Sequence, residues 1–157
     1  RYVALSVGHP SAYASDPVQW LHAWYVFLMQ VPWLPERMLA AGVWRGIALL
    51  AGWADEVPAW RASLARPGRL TAALAYYRAN LDLLWRGDVP PVRVPVLGVW
   101  SSGDRFLTER QMVASERFVR APWRYVRVVG ANHWMQLTAA ELVNALLLDY
   151  LRPLEVR

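Results

Sequence analysis

The sequence predicts an α/β protein built on three parallel strands with flanking helices, and three observations predict it. Short apolar runs without polar alternation occur at 2–7 (YVALSV), 94–100 (VPVLGVW) and 125–129 (YVRVV). Such runs suit strands covered on both faces. Helical patterns lie between and after them, and each run ends in a loop rich in Gly, Ser, Asp or Asn. Strands alternating with helices pair in parallel through right-handed crossovers.

The elements follow in order. Residues 8–15 read as loop after the first strand. Asp16 before Pro17 is a helix start, with Asp able to cap free N–H groups and Pro suited to the first turn. That helix is expected to run to about residue 30 and to stop before Pro32. Shorter helices are expected at 35–41, 44–51 and 56–65, closed by Gly42, Gly52 and Arg66-Pro67-Gly68. A longer one spans 70–85, with Leu70, Leu74, Tyr77, Leu81 and Leu84 on one face. After the second strand, Thr108-Glu109-Arg110-Gln111 is a capping box opening a helix to about 119. After the third, Thr138-Ala139-Ala140-Glu141 is another, opening a helix to about 151, before Pro153. The division expected is a first core strand and loop at 1–12, a helical block at 13–90 and an α/β core at 91–157. Three strands leave sheet edges uncovered, so the first is expected to present an open edge and apolar faces. On this reading the chain is the back part of a larger α/β domain.

Composition excludes several classes. The chain has 157 residues, 56% hydrophobic and 18% charged, too apolar and too weakly charged for disorder. It has no cysteine, which removes disulfide scaffolds and thiolate metal sites. Nothing calls for an oxidising compartment, and a cytoplasmic location is expected. The net charge is +5, every basic residue is arginine, and the arginines are scattered among apolar residues, so a solvated face and not a nucleic-acid partner is expected. Residues 17–35 lack Asp and Arg but contain three prolines, Gln19, His22 and Gln30. Their unbroken apolar core, 23–29, is far short of the ~20 residues a membrane span requires.

Chemistry is expected where parallel strands end. Asp104 closely follows the second strand and His133 the third. Neighbouring strands would bring the two side chains together, with the carboxylate orienting an imidazole that acts as general base. A nucleophile is missing. There is no G-x-S-x-G and no Gly-flanked Asp on a strand-to-helix elbow, and Ser6, Ser11, Ser101 and Ser102 lack that setting.

At these residues the chain resembles a known family. VPVLGVWSSGDRFLTE (94–109) and GANHWMQL (130–137) are similar to the acid and histidine loops of α/β-hydrolase-fold enzymes. RYVALSVGHP resembles the strand that follows their nucleophile elbow. Residues 13–90 then stand where such enzymes insert a helical cap. Within it, WYVFLMQVP followed by Pro35-Glu36 is similar to the first cap segment of epoxide hydrolases, and ALAYYRAN (73–80) to the second.

The resemblance implies a partial α/β-hydrolase fold: the cap and last three strands. It implies that Tyr25 and Tyr77 contact an epoxide oxygen, as two phenol donors can stabilise and protonate the alkoxide that ring opening develops. Asp104 and His133 would then hydrolyse an ester formed on an Asp outside this chain. Trp24, Phe27, Trp33 and Trp134 are the expected walls of an apolar pocket for a small epoxide-type substrate. No metal or organic cofactor is implied. A haloalkane dehalogenase, a serine esterase or perhydrolase, and an inactive fragment or subunit that pairs with a separate front half or with itself remain open. The isolated chain is expected to be inactive.

Overall fold

The computed structural model describes residues 1–42, 46, 56–84 and 89–152. The expected helix at 44–51, apart from Gly46, and positions Gly52, Trp85 and Pro153 lie outside the described residues.

Strand β1 (Tyr2–Leu5) pairs in parallel with β2 (Val96–Gly103), which pairs in parallel with β3 (Trp123–Asn132), in the order β1-β2-β3. The central strand is the apolar one for a physical reason: both its faces are covered. Leu97 and Val99 point to one side, where they pack with Val128, Ala131, Met135 and Val143. Trp100 points to the other side, against Ala4 and Met112, with Trp123 and Tyr125 alongside. This is the period of two expected of a strand. Each fully buried aliphatic side chain here contributes about 1.5–3 kcal/mol over exposure. Gly98 is needed in β2 because a Cβ there would lie 2.5 Å from the Trp123 ring and 2.8 Å from the Met112 sulfur.

β1 departs from the expected covered strand. It ends at Leu5, Tyr2 and Val7 are more than half exposed, and Ser6 leaves the strand at φ +62°. An edge position explains the exposure. Pro95 cannot donate to a ladder, and β2 starts after it at Val96, later than expected. β3 extends past both expected ends.

The helices between β1 and β2 are α1 (Pro10–Ala14), α2 (Pro17–His22), α3 (Trp24–Leu28), α4 (Leu34–Ala40), α5 (Val57–Leu64) and α6 (Arg69–Ala79). Helix α1 replaces the expected loop: the His9 ring accepts from Ser11 N–H as its N-cap, and Pro10 sits in the first turn. Asp16 caps α2 as expected, accepting from Val18 N–H. The single helix expected over 17–30 is two, broken at buried Ala23, which caps the end of α2 and the start of α3. The longer helix also stops early, at Ala79, and a 3-10 turn at Leu81–Leu84 follows. Leu39 and Val57, with Trp60, Leu64 and Leu70, hold α4, α5 and α6 together.

After β2 come α7 (Glu109–Ala114) and a 3-10 turn, Ser115–Phe118; after β3 come α8 (Met135–Thr138) and α9 (Ala140–Leu151). Met112 of α7 packs on one face of the sheet and Val143 of α9 on the other, so the sheet is the middle layer. Neither capping box forms as expected. Thr108 Oγ accepts from Gln111 N–H, but the Gln111 side chain turns away and donates to the Ser6 carbonyl. Thr138 closes α8 instead of opening α9, and its hydroxyl reaches the Trp134 carbonyl. Among the described residues no helix is long and apolar enough to cross a membrane.

Candidate active site

The C-terminal ends of β2 and β3 carry the site. Their ladder runs in register from Val96–Trp123 to Ser101–Val128, then shifts so that Gly103 meets Asn132. A bulge of this kind re-aims the residues beyond it. Two serines fix the shifted geometry. Ser101, fully buried, donates to the Asn132 carbonyl at 2.6 Å, and Ser102 Oγ accepts from Gly130 N–H at 3.0 Å. Gly103 permits the close approach, since a Cβ would sit 2.6 Å from the Ala131 carbonyl oxygen.

The two loops therefore converge. Asp104 Oδ2 accepts from His133 Nδ1 at 2.8 Å. That bond places the ring proton on Nδ1 and leaves Nε2 as the basic nitrogen. Asp104 Oδ1 accepts from Phe106 N–H at 2.8 Å and Leu107 N–H at 2.9 Å. The Asp104 side chain is wholly buried, while that of His133 keeps 27% exposure. Burial pushes the Asp104 carboxyl up, but the His133 hydrogen bond and charge, with the two backbone donors, together hold it below the ordinary carboxylate value.

An apolar cavity of about 320 Å³ opens onto the imidazole. His133, Trp134 and Phe106 line one part of it, and Trp24, Tyr25 and Tyr77 another. The Tyr25 and Tyr77 rings meet edge to face, 6.2 Å between centroids. Burial pushes the Tyr25 phenol well above its ordinary value, with Tyr77, Tyr13 and Asp104 adding to it. Tyr77 is raised by burial and by Tyr76. Both phenols are therefore loaded with their protons at neutral pH.

The segments bearing these tyrosines are stitched together by the polar residues that surround them. Gln30 donates to the Tyr77 carbonyl at 3.2 Å. Arg78 donates to the Met29 and Val31 carbonyls and forms a two-pronged pair with Glu36. A planar guanidinium suits that task.

Two expected wall residues lie elsewhere. Phe27 stacks on Trp20, and Trp33 is 60% exposed beneath the Arg37 guanidinium. Phe27 lies in α3 with Trp24 but faces Trp20 of α2, and Trp33 is carried outward as the left-handed residue (φ +60°) before α4. Trp24 and Trp134 do line the cavity. Like Leu28, Met29, Met38 and Leu39, Phe106 is a wall residue the sequence did not single out. It sits edge-on to Tyr25 at 5.5 Å, to His133 at 5.2 Å and to Trp134 at 5.7 Å. Its only sequence signal is its place two residues after Asp104. Among the described residues no group of three or more His, Cys, Asp or Glu is placed to hold a metal.

A parallel sheet ending in paired acid and histidine loops beneath a helical layer defines part of an α/β-hydrolase fold. Solved structures agree. The fold matches a Bacillus megaterium epoxide hydrolase at TM-score 0.73 and 20% identity, covering 96% of this chain and 60% of that one. It matches an epoxide hydrolase from Vigna radiata at TM-score 0.73 and 22% identity, covering 97% and 60%. No protein-family model matches the sequence. Among curated proteins, it is 30% identical over 169 residues to epoxide hydrolase 3 of Xenopus tropicalis, covering 96% of this chain and 45% of that protein. It is 32% identical over 164 residues to epoxide hydrolase 2 of Caenorhabditis elegans, covering 92% and 45%. The chain carries part of an α/β-hydrolase fold, and over nearly its whole length it is similar to epoxide hydrolases. It spans about half the length of the curated relatives it matches.

Proposed function

We propose that these residues are the cap and C-terminal part of an enzyme that adds water to small apolar epoxides. The observation that carries this reading is the shared cavity: two half-buried tyrosines, packed ring edge to ring face, line it together with an Asp-oriented imidazole. A cavity near 320 Å³ sits at the small end of the about 300–1,000 Å³ usual for ligand sites.

The reaction runs in two steps. A carboxylate from an Asp outside these 157 residues attacks an epoxide carbon. The ring C–O bond breaks, an ester forms, and a phenol of Tyr25 or Tyr77 donates its proton to the departing alkoxide. A raised phenol pKa keeps that donor protonated until the alkoxide appears. Then His133 Nε2 takes a proton from water as the water oxygen attacks the ester carbonyl. The resulting imidazolium, stabilised by Asp104, gives that proton to the leaving diol oxygen as the tetrahedral intermediate collapses, and the carboxylic acid so formed loses its proton to the tyrosinate, restoring carboxylate and phenol. Trp24, Phe106 and Trp134 supply apolar walls that exclude bulk water. A cytoplasmic location is part of the same proposal.

The test is diol formation from a small aryl epoxide by the protein at its natural length. His133→Ala is expected to trap a covalent adduct of epoxide mass on the enzyme. Halide release from a haloalkane, or ester cleavage without epoxide turnover, would replace this reading with another of the same fold. The 157 residues alone are expected to give no diol, for want of a nucleophile; His133-dependent turnover by them would refute the two-step route.

A further inference from the structure

Helix α2 presents Asp16, Gln19 and His22 to the acid loop, a spacing of three residues that places them along one side of a helix. Each side chain bonds to that loop. Gln19, with no exposed surface, donates through Nε2 to the Phe106 carbonyl at 2.8 Å and accepts through Oε1 from Thr108 N–H at 2.8 Å. Its carboxamide thus satisfies a carbonyl and an N–H two residues apart, as a neighbouring strand would. Asp16 Oδ2 accepts from Thr108 Oγ at 2.5 Å while its other oxygen caps α2. His22 Nδ1 donates to the Arg105 carbonyl at 2.9 Å. From the sheet side, Trp100 Nε1 donates to the Leu107 carbonyl at 2.8 Å.

We propose that Gln19 is a positioning residue for the Asp104–His133 pair. The two N–H groups that grip Asp104 Oδ1 belong to Phe106 and Leu107, inside the segment Gln19 clamps. The clamp also sets the Phe106 ring, which lies between Tyr25 and His133. Without it, a part-buried carbonyl and a buried N–H lose their partners, and the loop shifts to find others. The carboxylate moves with the loop, and with it the imidazole that it orients. Displacements near 1 Å at such a site cost up to about 10²-fold in rate. This inference rests on Asp104 and His133 acting as acid and base, not on the identity of the substrate.

The experiment is nitrogen NMR of histidine-labelled protein at its natural length. Gln19→Met keeps the volume and removes both hydrogen bonds. It is expected to move the His133 ring resonances toward those of Asp104→Asn. Leu147→Ala, in the later turns of α9 where it packs against the sheet core, is expected to lower Tm and leave those resonances in place. If Gln19→Met does not fold, His22→Ala, which removes only the bond to the Arg105 carbonyl, is expected to give a smaller shift in the same direction. Unmoved His133 resonances in the variant that folds would overturn the proposal. In the kinetic arm, kcat for epoxide is expected to fall about tenfold or more in Gln19→Met with KM within twofold. Loss of epoxide turnover in the unmutated protein, with the resonance shift intact, would overturn the epoxide reading and leave the positioning role standing.

Discussion

Asp104 and His133 sit at the ends of neighbouring parallel strands, and their side chains meet at 2.8 Å with the carboxylate fully buried and the imidazole partly open to the cavity. Burial on one side and access on the other suit an orienting acid and a working base.

Asp104→Asn replaces the acceptor with an amide that can impose the wrong ring tautomer. In orienting pairs of this kind the loss is on the order of 10⁴-fold. The loss should fall on the hydrolytic step, so adduct should accumulate after one turnover. Rapid-quench mass spectrometry reads this; equal slowing of adduct formation would argue against the assigned role.

The same carboxylate should leave a mark on stability. Its folded pKa lies below the ordinary value of about 3.9, so the ionised form stabilises the fold in full above that pH. The contribution disappears as pH falls through the lower, folded value. The Tm difference between the parent and Asp104→Asn should therefore narrow below about pH 4. A difference that widened there would contradict the assignment.

Tyr25→Phe and Tyr77→Phe should each slow adduct formation by about tenfold, and the pair by about 10²–10⁴-fold, the usual range for general-acid catalysis. Decay of a preformed adduct should be nearly unchanged, since no epoxide oxygen is then being protonated. Single-turnover kinetics separates the two rates.

Burial raises both phenols, while Tyr76 stands exposed beside them. In an ultraviolet titration Tyr25 and Tyr77 should ionise only beyond the ordinary tyrosine value of about 10, as should Tyr13, Tyr125 and Tyr150. Tyr25→Phe should leave the amplitude near pH 10 intact. A reduced amplitude would mean that Tyr25 is open to solvent.

The strands and both chemical loops were legible because β2 and β3 are apolar runs that end in short polar turns. Asp104 and His133 follow from that pattern alone. Other features depend on contacts no local pattern encodes. His9 caps α1 with a ring nitrogen, an uncommon cap that hides the helix start. Gln111 looked like the far side of a capping box, but a buried amide is better satisfied by the Ser6 carbonyl and Gly8 N–H across the fold. Phe27 and Trp33 share the aromatic character of Trp24, and only their tertiary neighbours, Trp20 for Phe27 and Arg37 for Trp33, keep them off the cavity that Trp24 lines. Gln19 read as a polar interruption of an apolar stretch, and its partners lie 87 and 89 residues away.

That long-range clamp has a consequence for engineering. Building chimeras between homologues invites a cut after residue 12, moving the following helices as a cassette. Such a graft would import a foreign α2 against a resident acid loop, and the carboxamide would face a backbone it did not evolve beside. A crossover after His22 keeps Asp16, Gln19 and His22 with residues 104–108, and exchanges Trp24, Tyr25 and Tyr77 as a set. Recombination libraries cut at the later point should retain more folded, turnover-competent members, with substrate preference travelling with the donor.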